Sequence, residues 1–114
     1  MTVQDLIDKK KVKAINIGEE PEREITKVFC CDLLSIAMGR APAGCAWVTV
    51  MANMNTLAVA SLTDAACIIL AEGAALDENC VKKAQIQGIT VLSSELPIFD
   101  IALEVYKMIE NKDS

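Results

Sequence analysis

Three short apolar runs, "CAWVTV" from Cys45, "ACIILA" from Ala66 and "ITVLSS" from Ile89, recur about every 22 residues. Their β-branched, near-continuous character is that of strands buried on both faces. Helical segments are predicted after each of them, over 55–62, 77–87 and 97–110. Strand–helix repetition of this kind builds right-handed βα units on a parallel sheet. The predicted class is therefore α/β: a three-layer α/β/α domain with a mainly parallel sheet of about five strands.

Upstream the pattern is looser. Thr2 and Asp5 have the spacing of a capping box ahead of Leu6 and Ile7, so a short first helix is expected. "VKAINIG" reads as a strand ending at Gly18, "EEPERE" as a charged loop broken by Pro21, and "ITKVFCC" as a second strand. In "DLLSIAMG", Asp32 is the expected N-cap and Gly39 the expected stop of a short helix. At 114 residues the whole chain, 1–114, is read as one domain, with a polar tail at 111–114 expected to fray.

The segment from Ala41 to Thr63 carries no charge at all in a chain whose formal net charge is -5. Its length passes the threshold of about 20 residues for a membrane span. However, Pro42, Gly44, Thr49, Asn53, Asn55, Thr56 and Ser61 place too many polar or helix-breaking groups in it for hydrocarbon. A buried strand, a polar turn and an Ala-rich helix account for the neutrality, and no membrane association is expected.

Hydrophobic residues make up 53% of the chain, and mean hydropathy is +0.34. Elements buried on several sides, or an apolar interface, are implied, and a homodimer is expected. In the last helix Ile98, Ile101, Ala102, Val105 and Ile109 form a core stripe, beside which Phe99, Leu103 and Tyr106 add apolar surface. Two readings of that addition stand: a wide core face, or a second face that meets a partner.

Acidic composition, with a pI near 4.6, opposes nucleic-acid binding, which draws on clustered Lys and Arg. The basic cluster of Lys9, Lys10, Lys11 and Lys13 is read as a solvated helix end. Charged residues early in the chain interrupt any secretory apolar region, which points to the cytoplasm.

Histidine is absent. Ser-His-Asp and Cys-His nucleophiles, His-ligated zinc and the usual general base near neutral pH are therefore excluded. Five cysteines, at 30, 31, 45, 67 and 80, lack the C-x-x-C spacing of iron–sulfur ligation, so no cofactor is expected. Free core thiols are the default, with Cys80 near a helix N-terminus the candidate for a lowered pKa. A carboxylate enzyme built on Asp32 or Glu72 lacks a convergent second group and ranks last. "GRAPAG" has glycines spaced as in a phosphate loop, but Cys45-Ala46 stand where Lys and Ser/Thr are needed, and it precedes a strand. It is read as a turn.

In open parallel sheets, ligands bind beyond the carboxyl ends of the strands. That rule selects Thr49 through Asn55, then Ala71-Glu72-Gly73, then Ser93-Ser94-Glu95. Asn53 and Asn55 offer uncharged donors and acceptors suited to a nucleobase edge, an amide or a sugar hydroxyl. Capping of the next helix alone, or capping together with ligand contact, both fit them.

The stretch "EREITKVFCCDLLSIAMGRAPAGCAWVTVMANMNTLAVASL" resembles the DRTGG-domain family in its small single-domain form, and the likeness extends through "AACIILAEG" and "KKAQIQGITVLSSE". Arg23 and Thr26 keep the nominal motif. Glu22 replaces its leading Asp, Lys27-Val28 replace its paired glycines, and Asn53 stands where a His is expected. The resemblance implies an α/β/α domain similar to the N-terminal domain of HPr kinase/phosphorylase, used for regulation and dimerisation rather than catalysis. Related domains accompany nucleotide-binding CBS modules in some inorganic pyrophosphatases and occur in some phosphotransacetylases.

The leading reading is a non-catalytic, homodimeric regulatory or interaction domain that takes a nucleotide-like or small polar ligand. Its candidate contacts are Arg23, Thr49, Asn53, Asn55, Glu72, Gly73, Ser93 and Ser94. Because some small family members carry names referring to iron–sulfur proteins or hydrogenases, the alternative is an iron–sulfur or thiol redox partner in a hydrogenase-related pathway.

Overall fold

The computed structural model describes residues 1–110; the tail expected to fray lies outside them. Ten elements follow in order: α1 (Val3–Asp8), β1 (Lys13–Asn16), β2 (Lys27–Cys30), α2 (Leu34–Arg40), β3 (Cys45–Thr49), α3 (Met54–Thr63), β4 (Cys67–Leu70), α4 (Glu78–Gln87), β5 (Val91–Ser93) and α5 (Ile98–Glu110). The sheet runs β1-β5-β4-β3-β2. Strands β2 to β5 are parallel, and β1 alone runs antiparallel, pairing Lys13 with Ser93 and Ala14 with Leu92.

The βα repeats are where the spacing places them, because β3 and β4 are buried at every position, as strands covered on both faces must be. Alternation sorts their side chains. Ala46, Val48, Cys67 and Ile69 meet Val3, Leu6, Ile101 and Val105 of α1 and α5. On the other face Cys45, Trp47, Ile68 and Leu70 meet Ala37, Leu57, Ala60 and Ala84 of α2, α3 and α4. Three layers result, as predicted.

Local signals near the helix ends hold where the partner is close in sequence. Thr2 and Asp5 form the capping box, Asn53 Oδ1 accepts from Thr56 N at 3.1 Å, and Asp77 Oδ1 accepts from Cys80 N at 2.8 Å. At α2 the expectation fails at both ends. Asp32 is not the N-cap: its Oδ1 accepts from the Thr49 hydroxyl at 2.7 Å and from Val50 N at 3.0 Å. Leu33 takes the cap position without a side-chain bond. Nor does Gly39 stop the helix, which runs to Arg40 and ends at extended Ala41, because Pro42 disfavours a helical residue before it. The second strand also starts later than Ile25, at Lys27, and Cys31 lies beyond its end.

The chain must cross from β1, on one edge, to β2, on the other. Residues 17–26 make this crossing as a strap along the amino ends of the parallel strands. Glu19 N donates to Gly88 O ahead of β5, and Thr26 N to Gly44 O ahead of β3. Between them Arg23 grips Asp64 ahead of β4: Nη1 to Oδ1 is 2.7 Å, while Nη2 reaches Oδ2 and the Asp64 carbonyl, each at 2.9 Å. Asp64 ends α3 in the left-handed region, at φ 63°, a conformation that a short polar residue tolerates better than most.

This pair has a testable consequence. The guanidinium holds the Asp64 carboxyl below its ordinary 3.8, so the native state binds fewer protons there than the unfolded chain. The contribution is complete above pH 3.8 and fades as pH falls below it. Because the Asp64 side chain is 67% exposed, solvent screens the pair. Arg23→Ala should cost about 1 kcal/mol by denaturant melts at pH 7, and less at pH 3; an equal loss at both pH values would contradict this origin.

Candidate functional site

The carboxyl ends of β2 to β5 lie together at the opposite end of the sheet from the strap. Two short backbone bridges join the loops there: Glu72 N donates to Leu96 O at 2.9 Å, and Gly73 N to Ser94 O at 2.9 Å. Glu72 and Gly73 both hold left-handed backbone, at φ 59° and 68°. The Glu95 carboxylate lies against the Cα of Gly73, where any side chain would collide with it.

Of the residues selected from sequence, Glu72, Gly73, Ser93 and Ser94 are thus brought together. Ser94 is almost fully buried, its Oγ accepting from Leu96 N at 3.1 Å. Thr49 is fully buried and already engaged, donating to Asp32 and accepting from Met51 N at 3.1 Å. Asn53 caps α3 through Oδ1, and Asn55 is exposed at the second position of that helix. Arg23 is remote from all of them. It borders a cleft of about 240 Å³ at the amino ends of the strands, with Ser61, Asp64, Gln87 and Thr90.

Antiparallel pairing of β1 with β5 adds residues that the sequence reading left out. Because Lys13 is opposite Ser93, the residues before it extend beyond the carboxyl end of β5. Lys10, turned by a left-handed backbone at φ 61°, follows α1 with Lys11. Lys10, Lys11 and Lys13 line an open cleft of about 390 Å³ together with Ser93, Ser94 and Glu95. The lysines are exposed, as a solvated helix end requires, and three of them also border this concavity. Three ammonium groups against one carboxylate make a locally cationic place on an acidic chain. The lysines and serines offer charge and hydrogen bonds there.

The thiols sit elsewhere. Cys45, Cys67 and Cys80 are buried, and burial pushes Cys45 up to about 11 and Cys67 to about 12. Cys80 corrects the expectation of a lowered pKa: desolvation, then the Asp77 carboxylate, raise it. Exposed Cys30 is also raised, by desolvation first and by Asp32 second. Among the described residues no three of His, Cys, Asp and Glu gather as a metal site, and no helix is long and apolar enough to cross a membrane.

A three-layer α/β domain with a lysine-lined cleft at its strand ends is the class this geometry defines. No family model and no curated protein matches the chain. Among solved structures it is similar to the CBS and DRTGG domains of the regulatory region of Clostridium perfringens pyrophosphatase, complexed with the activator diadenosine tetraphosphate. The TM-score is 0.67 at 17% identity, over 87% of this chain and 43% of that one. The chain thus spans less than half the length of that structure, and at this identity the likeness is one of fold, supporting a DRTGG-like fold.

Proposed function

We propose that this chain, 1–114 as one DRTGG-like domain, is a non-catalytic regulatory module of the cytoplasm that forms a homodimer and binds a nucleotide-like anion. The carrying observation is the convergence of Lys10, Lys11 and Lys13 on Ser93 and Ser94 beyond the end of β5. Ammonium groups act as point charges for phosphate, and hydroxyls add short hydrogen bonds to its oxygens. The related pyrophosphatase region is regulatory and was crystallised with a dinucleotide polyphosphate, which gives the ligand class a precedent. Glu72, Gly73, Asn53 and Asn55 would meet the uncharged parts of such a ligand, while Arg23 serves the strap and Thr49 the Asp32 bridge. The likeness to the N-terminal domain of HPr kinase/phosphorylase belongs to the same reading.

The test is thermal melting with ATP, diadenosine tetraphosphate, tripolyphosphate and adenosine. A ligand at about 100 times its dissociation constant adds about 2.7 kcal/mol. For a domain of about 100 residues each kcal/mol is worth roughly 4–8 °C, so a rise of roughly 10–20 °C is expected for the phosphorylated ligands. Adenosine should give far less. Lys11→Glu with Lys13→Glu should abolish the rise, and higher salt should shrink it by screening. A flat response to all four compounds would remove ligand binding and leave an interaction domain; an undiminished rise in the double variant would move the site elsewhere.

A further inference from the structure

We infer that the homodimer is closed by the outer face of α2 and α3, packed on its symmetry copy. This rests on the dimeric reading above and names the surface that reading leaves open. The neutral stretch of the sequence is longer on the molecule than it first reads: from Leu33 to Thr63 the sole charged residue is Arg40, with Asp32 and Asp64 just outside either end. Helices α2 and α3 pack side by side, so this neutrality becomes one continuous surface. Asp32, just ahead of α2, takes hydrogen bonds from Thr49 and Val50 at the end of β3, which ties the entry of α2 to the loop that leads into α3.

This surface is apolar as well as uncharged. Leu33, Ile36, Met38, Val50, Met54 and Leu62 are six of the eleven large apolar side chains that stand exposed among the described residues. Leu33 and Leu62 are 58% and 71% exposed, values at which a core role is excluded. Met54, Ala58 and Leu62 follow at a spacing of four and lie on one stripe of α3, while Leu33 and Ile36 share a face at the start of α2. The rival stripe on α5, with Phe99 and Tyr106, is flanked along one side by Asp100, Glu104 and Lys107.

Charge selects the occupant. Two copies with a net charge of -5 repel least across a surface without carboxylates, and from Leu33 to Thr63 there is none, Arg40 being the one charged residue. A charged partner would find no complement on it. A membrane surface is poorly matched, because interfacial helices set several Lys and Arg beside the apolar face, and these two helices carry Arg40 alone. A second copy offers an identical neutral face, as a twofold interface requires.

Sedimentation equilibrium at micromolar concentration decides the matter. The wild type should have the mass of two chains. Leu33→Lys with Met54→Lys, and separately Leu62→Lys, should fall to the mass of one. Lysine makes the net charge less negative, so the loss cannot come from general repulsion. Leu62→Lys replaces a side chain that is mostly in solvent, which keeps the test valid should the double variant unfold. Phe99→Lys with Tyr106→Lys should stay dimeric. Monomers from the α5 variant beside dimers from the α2–α3 variants would overturn the surface and leave the dimer standing. A monomeric wild type would instead overturn the dimeric reading itself, and binding of a monomer to neutral phosphatidylcholine vesicles, abolished by Leu62→Lys, would assign the face to lipid.

Discussion

Trp47→Ala should lower the stability of this domain by about 3–5 kcal/mol, within the range found for large aromatic deletions in cores. Domains of this size have about 5–15 kcal/mol in all, so the variant would be close to unfolding at body temperature. The reason is position as well as size. Trp47 is the central residue of β3, fully buried, and among the largest enclosed side chains in the molecule. It fills the space between the sheet and α2 and α3, where its neighbours are as small as Ala37, Cys45 and Ala60 and cannot collapse into the gap. Its Nε1 also donates to the Cys31 carbonyl at 3.0 Å, fixing the loop in which Asp32 reaches Thr49 and Val50. Trp47→Phe separates the two roles: it keeps most of the ring but leaves Cys31 O without that donor, at a cost of about 1–3 kcal/mol. Urea melts followed by circular dichroism measure both, since Trp47 is the sole tryptophan and its fluorescence is lost with it. A loss below about 1 kcal/mol for Trp47→Ala would show that β3 is not the packed centre described.

What could be read from sequence, and what could not, follows the reach of the interactions. The βα repeats were legible because burial on both faces forces unbroken apolar runs at Cys45, Cys67 and Val91. The caps at Thr2 and Asn53 were legible because each side chain bonds an amide three residues on, and Asp77, read as the first helical residue, is a cap of the same kind. Asp32 has the same local pattern, yet its partner Thr49 is 17 residues away and competes successfully for the carboxylate. Cys80 was misjudged for a related reason: a helix N-terminus can be seen in a sequence, whereas desolvation depends on what packs over it. The cleft was half legible. Ser93 and Ser94 follow from the strand-end rule, but Lys10, Lys11 and Lys13 join them through an antiparallel pairing across some 80 residues. One signal was available: β1 carries Lys13 and Asn16 among its four residues, a composition that suits a half-exposed edge strand and contrasts with the unbroken interior of β3.

The strand that begins at Lys13 and follows Lys10 and Lys11 depends on a close approach of two glycines, and Gly18→Ala should expose this. A Cβ at Gly18 would lie 2.6 Å from the Gly88 carbonyl carbon and 3.0 Å from that of Ile89, both backbone, so nothing flexible can yield. Overpacking of this kind costs about 1–3 kcal/mol. The strain has only one outlet, movement of β1 and the strap away from β5. Such movement would break the bonds from Gly18 N to Thr90 Oγ1 at 2.9 Å, from Asn16 Nδ2 to Ile89 O at 2.8 Å and from Glu19 N to Gly88 O at 3.3 Å. Lys13 belongs to that strand and faces Ser93 across it, so the expected result is a lower melting point and a smaller stabilisation by polyphosphates in the same variant. Gly39→Ala is the matched control. It lies inside α2 with no atom within 4 Å of the added methyl group, and alanine there should be neutral or stabilising by about 0.5–1 kcal/mol, with the ligand response intact. If Gly18→Ala melted like the wild type, β1 would not be held at this contact, and the lysine wall of the cleft would lose its physical support.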